Sequence, residues 1–242
     1  MPAATAVAAG TRRLYNGLMI GYFIVLEGLD GSGLSTQAAR LREWLTAQGR
    51  SAVATKEPSE GPAGSVVRWA LTRRLGYPPH IAHGAGAGGP APGAWEPLGD
   101  EVLALLYAAD RLDHVRQEIA PRLARGVSVV CDRYRWSSLA YQALGADAEW
   151  VAALNSKAPR PDLTVFLAVP PAVCAARMVG RGGTVELYEE LPKLERVRAN
   201  YDRLIAAARA AGETIAVVDG QGSVAAVHEA IVAACRAALP AL

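Results

Sequence analysis

Short apolar runs alternate along this chain with longer segments in which apolar positions recur every three to four residues. Tyr22-Phe23-Ile24-Val25-Leu26 is one such run, rich in β-branched and aromatic side chains and closed by a glycine-rich turn, and it predicts a buried parallel strand. From about Ser35 to Gln48, Ala38, Leu41, Trp44 and Leu45 share one face and the pattern stops at Gly49, which predicts a helix. Further strands are predicted at Ser51 to Thr55, Val127 to Cys131, Leu163 to Leu167 and Thr214 to Val218. Helices are predicted over Gly64 to Leu75, Asp100 to Leu112 with a bent continuation to Arg125, Ser138 to Leu144 and Ala148 to Lys157. Beyond these come a helix from Pro171, a long helix ending at Ala210, and a last one over Ser223 to Ala238. Five strands alternating with helices imply an α/β fold whose parallel sheet is covered on both faces. Ligands bind such sheets beyond the carboxyl ends of the strands, which directs attention to the residues just after Leu26, Thr55, Cys131 and Leu167.

Composition changes this picture in two places. Residues 76–99 hold seven glycines and five prolines, too much backbone freedom and too few donors for a regular element, so an inserted flexible loop is expected there. Residues 1–21 are alanine-rich, and the Arg12-Arg13 pair follows the small residues instead of preceding an apolar stretch, so the segment reads as a disordered extension and not as a signal peptide. Met19, just before the first strand, is an alternative start. The remainder, 22–242, is of a length that an α/β chain commonly folds as one domain.

Charge and cysteine usage exclude several classes. With 25 basic and 23 acidic residues the net charge is +2, too balanced for a general nucleic-acid binder. No apolar run reaches the roughly 18 to 20 residues of a membrane span. Cys131, Cys174 and Cys235 lie far apart with no zinc-site or redox spacing, so a reduced, cytoplasmic protein is expected. His80 and His83 are close, but they lack helical support and further ligands and read as solvated loop histidines.

The strongest chemical signal follows the first strand. Gly28-Leu29-Asp30-Gly31-Ser32-Gly33-Leu34-Ser35-Thr36 fits the phosphate-loop pattern G-x-x-x-x-G-K-[ST] except at the lysine, where Leu34 stands. The glycines let backbone amides converge on phosphate oxygens, the helix that follows presents its positive end, and the Ser35 hydroxyl can sit on Mg²⁺. A glycine-rich turn capped by Ser35 is the simpler alternative. The lysine of such loops bridges the outer phosphates and offsets charge that develops in phosphoryl transfer, which leucine cannot do. Either other basic groups compensate, or nucleotide binds without efficient turnover.

The stretch Phe23 to Gln37 resembles the phosphate loop of the thymidylate kinase family, with its acidic residue and trailing S-T-Q, and the resemblance runs from Phe23 to about Ala238 apart from the 76–99 insert. It implies a three-layer P-loop NTPase fold with a lid segment, ATP and dTMP or a related pyrimidine nucleotide as substrates, Mg²⁺, and a homodimer, while charge balance and the lack of a long apolar run give no nucleic-acid or membrane partner. Asp30 matches the aspartate near the deoxyribose 3′-hydroxyl. Thr55-Lys56-Glu57-Pro58 is similar to the family's T-R-E-P segment around the acceptor, with Arg68 matching an arginine downstream. Tyr107-Ala108-Ala109-Asp110-Arg111 resembles the F-A-A-D-R helix, which implies that Tyr107 stacks on the base and Arg111 contacts thymine. Asp132-Arg133-Tyr134 with Ser137-Ser138-Leu139-Ala140-Tyr141-Gln142 is similar to D-R-Y followed by S-x-x-A-Y-Q. There Arg133 would hold the acceptor phosphate, Ser138 would lie near the base, Tyr141 would crowd the 2′ position, and Asp132 would partner Mg²⁺ directly or through water. Arg177, Arg181 and Glu186-Leu187-Tyr188-Glu189 look like the lid, with Leu187 in an arginine's place. Arg177 and Arg181 are thereby the candidates to supply the missing catalytic charge. Lys56, at a strand's carboxyl end, is the nearest lysine able to substitute.

The implied reaction is in-line transfer of the γ-phosphoryl of Mg²⁺-ATP to dTMP by positioning and charge neutralisation, with no general base needed. Two rivals stand beside it: a nucleotide-binding protein that does not catalyse, and a P-loop kinase with another pyrimidine acceptor.

Overall fold

The computed structural model describes residues 14–15, 18–19, 21–72, 74–76, 97–179 and 191–239. Its centre is a five-stranded sheet, all parallel. The strands are β1 (Phe23–Gly28), β2 (Ala52–Lys56), β3 (Ser128–Asp132), β4 (Leu163–Ala168) and β5 (Ile215–Asp219), in the spatial order β2-β3-β1-β4-β5. The phosphate-loop strand β1 is therefore central, and the order reverses beside it, where open parallel sheets bind ligands. Every predicted strand is present within one or two residues of its expected bounds.

Nine helices are described: α1 (Leu34–Ala47), α2 (Pro62–Leu71), α3 (Asp100–His114), α4 (Ala120–Ala124), α5 (Arg135–Tyr141), α6 (Ala148–Leu154), α7 (Pro171–Val179), α8 (Leu191–Ala210) and α9 (Val224–Ala238). The bend expected after Leu112 is a π-helical stretch, Val115–Ile119, joining α3 to α4. Side-chain alternation in β1 sorts the layers. Ile24 and Leu26 join Leu41, Leu45, Ile231 and Cys235 beneath α1 and α9. Phe23 and Val25 face the opposite way, with Ile119, Val129, Cys131 and Tyr134. On that same side, Phe166 of β4 packs with Trp136, Leu194, Val197 and Tyr201 under α5 and α8.

Two regions differ from expectation or fall outside the description. Within the N-terminal extension, Leu14–Tyr15 and Leu18–Met19 form a small antiparallel ladder with Leu14 opposite Met19, where disorder was expected. Most of the 76–99 insert, including His80 and His83, and the residues expected to form a lid, Arg181 and 186–189, lie outside the described residues.

Candidate active site

The turn after β1 is built for an anion. Gly31 and Gly33 hold φ of 82° and 100°, a region costly for residues with a Cβ, and Gly33 is the residue before α1. A Cβ on Gly31 would lie 2.6 Å from the Cys174 carbonyl oxygen of α7, so that helix also requires glycine there. Helix α1 has no side-chain cap and no acidic residue in its first turn, whereas Asp147 caps α6 and Ser223 caps α9. Its leading amides and positive dipole end are thereby left for a ligand. The capped-turn alternative for Ser35 is not what the chain does: its hydroxyl donates instead to Asp132 Oδ2 at the end of β3, at 2.5 Å. Among the described residues, Ser32 Oγ, buried within the loop, has no hydrogen-bond partner. An orphaned hydroxyl in the loop and a paired hydroxyl and carboxylate at its rim form an oxygen-rich set that fits phosphate and Mg²⁺. Burial raises the Asp132 carboxyl above its ordinary range, against the lowering charge of Arg133 and the hydrogen bond from Ser35.

Leu34 points elsewhere. It is 5% exposed and belongs to the apolar cluster of Ile24, Leu26, Leu41, Val218 and Val227. The residue that replaces the loop lysine is thus a core residue. Lys56 is half-exposed and paired with Glu60 at 3.0 Å, one strand over from Asp132, to which it is opposite in register. Arg177 donates to the Gly220 carbonyl at 3.2 Å, and Gly220 lies close to the Ser32 carbonyl, so this arginine borders the phosphate loop.

Beside the loop opens a cleft lined by Asp30, Glu57, Pro58, Tyr107, Arg111, Arg133 and Tyr141, all anticipated from sequence, and by Leu71, Tyr134, Ser137 and Gln142. Arg133 adopts φ 68° and donates to Asp30 Oδ1 at 2.5 Å, Gly28 O at 3.0 Å and Ser137 Oγ at 3.2 Å. Its guanidinium also lies over the Tyr141 ring, 5.4 Å from the centroid. Burial opposes its charge, but Asp30, Tyr141, Tyr201 and Asp132 together outweigh burial and hold the guanidinium protonated. Tyr141 Oη accepts the Asp30 amide at 3.0 Å, which joins the phosphate loop to the floor of the cleft.

Three of the sequence candidates hold the cleft wall together through contacts inside the protein. Arg111 is 1% exposed and spends its donors inside the protein. They reach Glu57 Oε2 at 2.9 Å from Nε and 2.8 Å from Nη2, the Tyr134 carbonyl at 3.1 Å, Ser138 Oγ at 3.2 Å, and Asn155. In this state it shapes the cleft through Glu57 and has no donor left for a base. Ser138 is the acceptor of those Arg111 contacts, and the serine that lines the cleft is its neighbour Ser137. Arg68 holds the Pro58 and Ser59 carbonyls and pairs with Glu60 at 3.2 Å, so it fastens the loop that carries Glu57 and Pro58. Asp110 adds to this by accepting the Ser59 amide at 2.8 Å.

Sequence reasoning passed over Leu71, Tyr134, Ser137 and Gln142, although the last three stand inside the quoted D-R-Y and S-S-L-A-Y-Q stretches. Among the described residues, Glu57, His114 and Cys131 also bring three donor atoms within 4.8 Å of one another. Each is already engaged: Glu57 by Arg111, His114 Nε2 with Thr55 Oγ1 at 2.8 Å, and the Cys131 thiol to the Arg133 carbonyl at 3.0 Å. Burial and the adjoining carboxylates push that thiol up, which disfavours the thiolate a metal needs. This group is a hydrogen-bonded core.

A phosphate loop on the central strand, with a second basic subsite at the neighbouring strand end, places the protein among the P-loop nucleoside-monophosphate kinases. Among the described residues no helix is long and apolar enough to cross a membrane. The thymidylate kinase family model matches residues 26–84 and 95–231, leaving out ten residues inside the glycine- and proline-rich insert. The chain belongs to the thymidylate kinase family. It is 40% identical over 216 residues to a "probable thymidylate kinase" of Pyrococcus abyssi, covering 89% of this chain and 96% of that one. It is 38% identical over 214 residues to one of Thermococcus gammatolerans, with 88% and 95% covered. A third, from Pyrobaculum aerophilum, is 40% identical over 199 residues, with 81% and 87% covered.

Proposed function

We propose that the protein transfers the γ-phosphoryl group of ATP to the 5′-phosphate of dTMP, giving dTDP and ADP in the cytoplasm. The observation that carries this reading is the cleft itself: Arg133, Asp30 and Tyr141 form one connected group directly beside the phosphate loop. Two phosphate-bearing substrates can thus be brought end to end, which is where positioning lowers the barrier most. Arg133 binds the acceptor phosphate, Asp30 faces the 3′-hydroxyl, Tyr141 disfavours a 2′-hydroxyl, and Tyr107 supplies a face for the base. Ser35 and Asp132 would hold Mg²⁺, which when bound offsets phosphate charge. Arg177 and Arg181, with Lys56, supply the positive charge that Leu34 does not.

A second reading is favoured by one observation, the burial of Leu34 in the apolar core: a protein that binds nucleotide without turning it over. ADP formation from Mg²⁺-ATP with dTMP decides between them. We expect dTMP-dependent turnover by the wild-type protein, and a Leu34→Lys variant that is about tenfold faster or more but melts a few degrees lower, because the lysine stem leaves the core to place its ammonium in the loop. Nucleotide binding with no turnover in wild type, restored by Leu34→Lys, would establish the second reading. Comparing dTMP with dUMP, which differ by one methyl group, tests the acceptor.

An exposed apolar face on α2 and α3 supports a homodimer. Val102, Leu105 and Leu112 form an exposed apolar stripe on α3, and Trp69, 53% exposed, stands on α2 packed against it. Light scattering is expected to give twice the 25.4 kDa chain mass, and Leu105→Asp the single chain mass.

A further inference from the structure

Glu27 lies in an otherwise apolar part of β1, on the same face as Phe23 and Val25, and is 1% exposed. A carboxylate at that depth is costly unless its lone pairs are filled. Here they are filled by donors from two other elements. The amides of Tyr134, Trp136 and Ser137 donate to Oε1 at 3.1, 3.1 and 3.2 Å. The hydroxyls of Ser137 and Tyr201 donate to Oε2 at 2.7 and 3.0 Å. Helix α5 has no side-chain cap from its own N-terminal residue, so this carboxylate, more than a hundred residues away in sequence, satisfies its first amides.

Arg133 immediately precedes that turn, in a left-handed conformation that a residue with a long side chain adopts only when its surroundings impose it. Two contacts aim its guanidinium at the cleft, the Gly28 carbonyl and the hydroxyl of Ser137 that Glu27 holds. We infer that Glu27 is a positioning residue for the acceptor subsite: by anchoring Tyr134, Trp136 and Ser137 it fixes the backbone and hydrogen-bond partner that place Arg133 against the acceptor phosphate. Tyr201 of α8 completes the anchor, so the phosphate-loop strand, the acceptor helix and the helix following the lid meet at one carboxylate. Glu27 touches no substrate and exchanges no proton in this role. The inference rests on the reading of Arg133 as the acceptor-phosphate ligand.

Titration calorimetry of the full chain with dTMP and, separately, with Mg²⁺-ATP tests it without requiring turnover. Glu27→Gln keeps one acceptor oxygen but loses the charge and turns an amide toward two hydroxyls. It is expected to weaken dTMP binding about ten- to fiftyfold while ATP affinity stays within about twofold. Tyr201→Phe, which removes one donor to Glu27 and lies outside the cleft, is expected to weaken dTMP binding about two- to fivefold. Equal losses for both ligands, or a lower melting temperature with both affinities intact, would overturn the inference, because a purely structural role does not choose between ligands. Should Glu27→Gln fail to fold, the isosteric Tyr201→Phe decides by the same criterion. Wild-type protein that does not bind dTMP would remove the acceptor reading and the inference with it; normal binding by wild type and variants alike would remove the inference alone.

Discussion

Replacing Arg133 with alanine is expected to lower kcat/KM for dTMP by at least about a hundredfold, roughly 3 kcal/mol of transition-state stabilisation, with KM for ATP nearly unchanged. The reason is geometric as well as electrostatic. The side chain reaches the cleft from a φ of 68°, tied to Asp30, Gly28 and Ser137 and stacked on Tyr141, so its fork points one way only. Lysine at the same position retains charge but not the paired donors, and it should recover less than about a tenth of the lost activity. Steady-state kinetics with dTMP varied at saturating ATP would measure this. An alanine variant with wild-type kcat/KM would remove Arg133 from the acceptor subsite.

Arg111→Ala should act first on stability. Its guanidinium and the Glu57 carboxylate are both almost completely buried and paired at 2.8 Å, and the same arginine also holds Ser138, Asn155 and the Tyr134 carbonyl. Removing one member leaves a buried carboxylate with its main cationic partner gone, which typically costs about 3 to 5 kcal/mol. For a domain of this length that corresponds to a fall in melting temperature of roughly 6 to 20 °C. Thermal unfolding by circular dichroism would show it. Arg111→Ala protein that melts like wild type yet has lost dTMP binding would instead make Arg111 a direct base contact that swings out of its network when the nucleotide binds.

The contrast between these two arginines shows where sequence reading stops. Both stand in motifs that resemble a family's acceptor site, and on paper they look equivalent. Arg133 reaches the cleft, whereas the donors of Arg111 are spent on Glu57, on Asn155, and on Ser138 and the Tyr134 carbonyl, which come from three separate parts of the chain. Motif matching assigns a residue to a neighbourhood, but how many of its donors stay free depends on partners brought in by the fold. Ser138 and Ser137 make the same point at single-residue scale. The helical turn decides which of two adjacent serines faces the cleft, and α5 begins too close to them for the pattern alone to settle its phase. Glu27 carried a readable signal that went unused: a charged residue at strand spacing from Phe23 and Val25 in an apolar run must be paired with something.

What the sequence determined by itself was the α/β architecture, the five strands, the helix bounds to within a few residues, the phosphate loop and the strand ends where a site should lie. These follow from local periodicity, from glycine's access to positive φ, and from the rule that parallel sheets present ligands at their carboxyl ends. Only the tertiary structure decided that Leu34 faces the core, that Ser35 meets Asp132, that Arg111 is a wall and not a probe, and that Glu27 ties three elements together. Each of these depends on which groups from distant parts of the chain share one buried volume, and a buried polar atom takes its role from the partner that satisfies it.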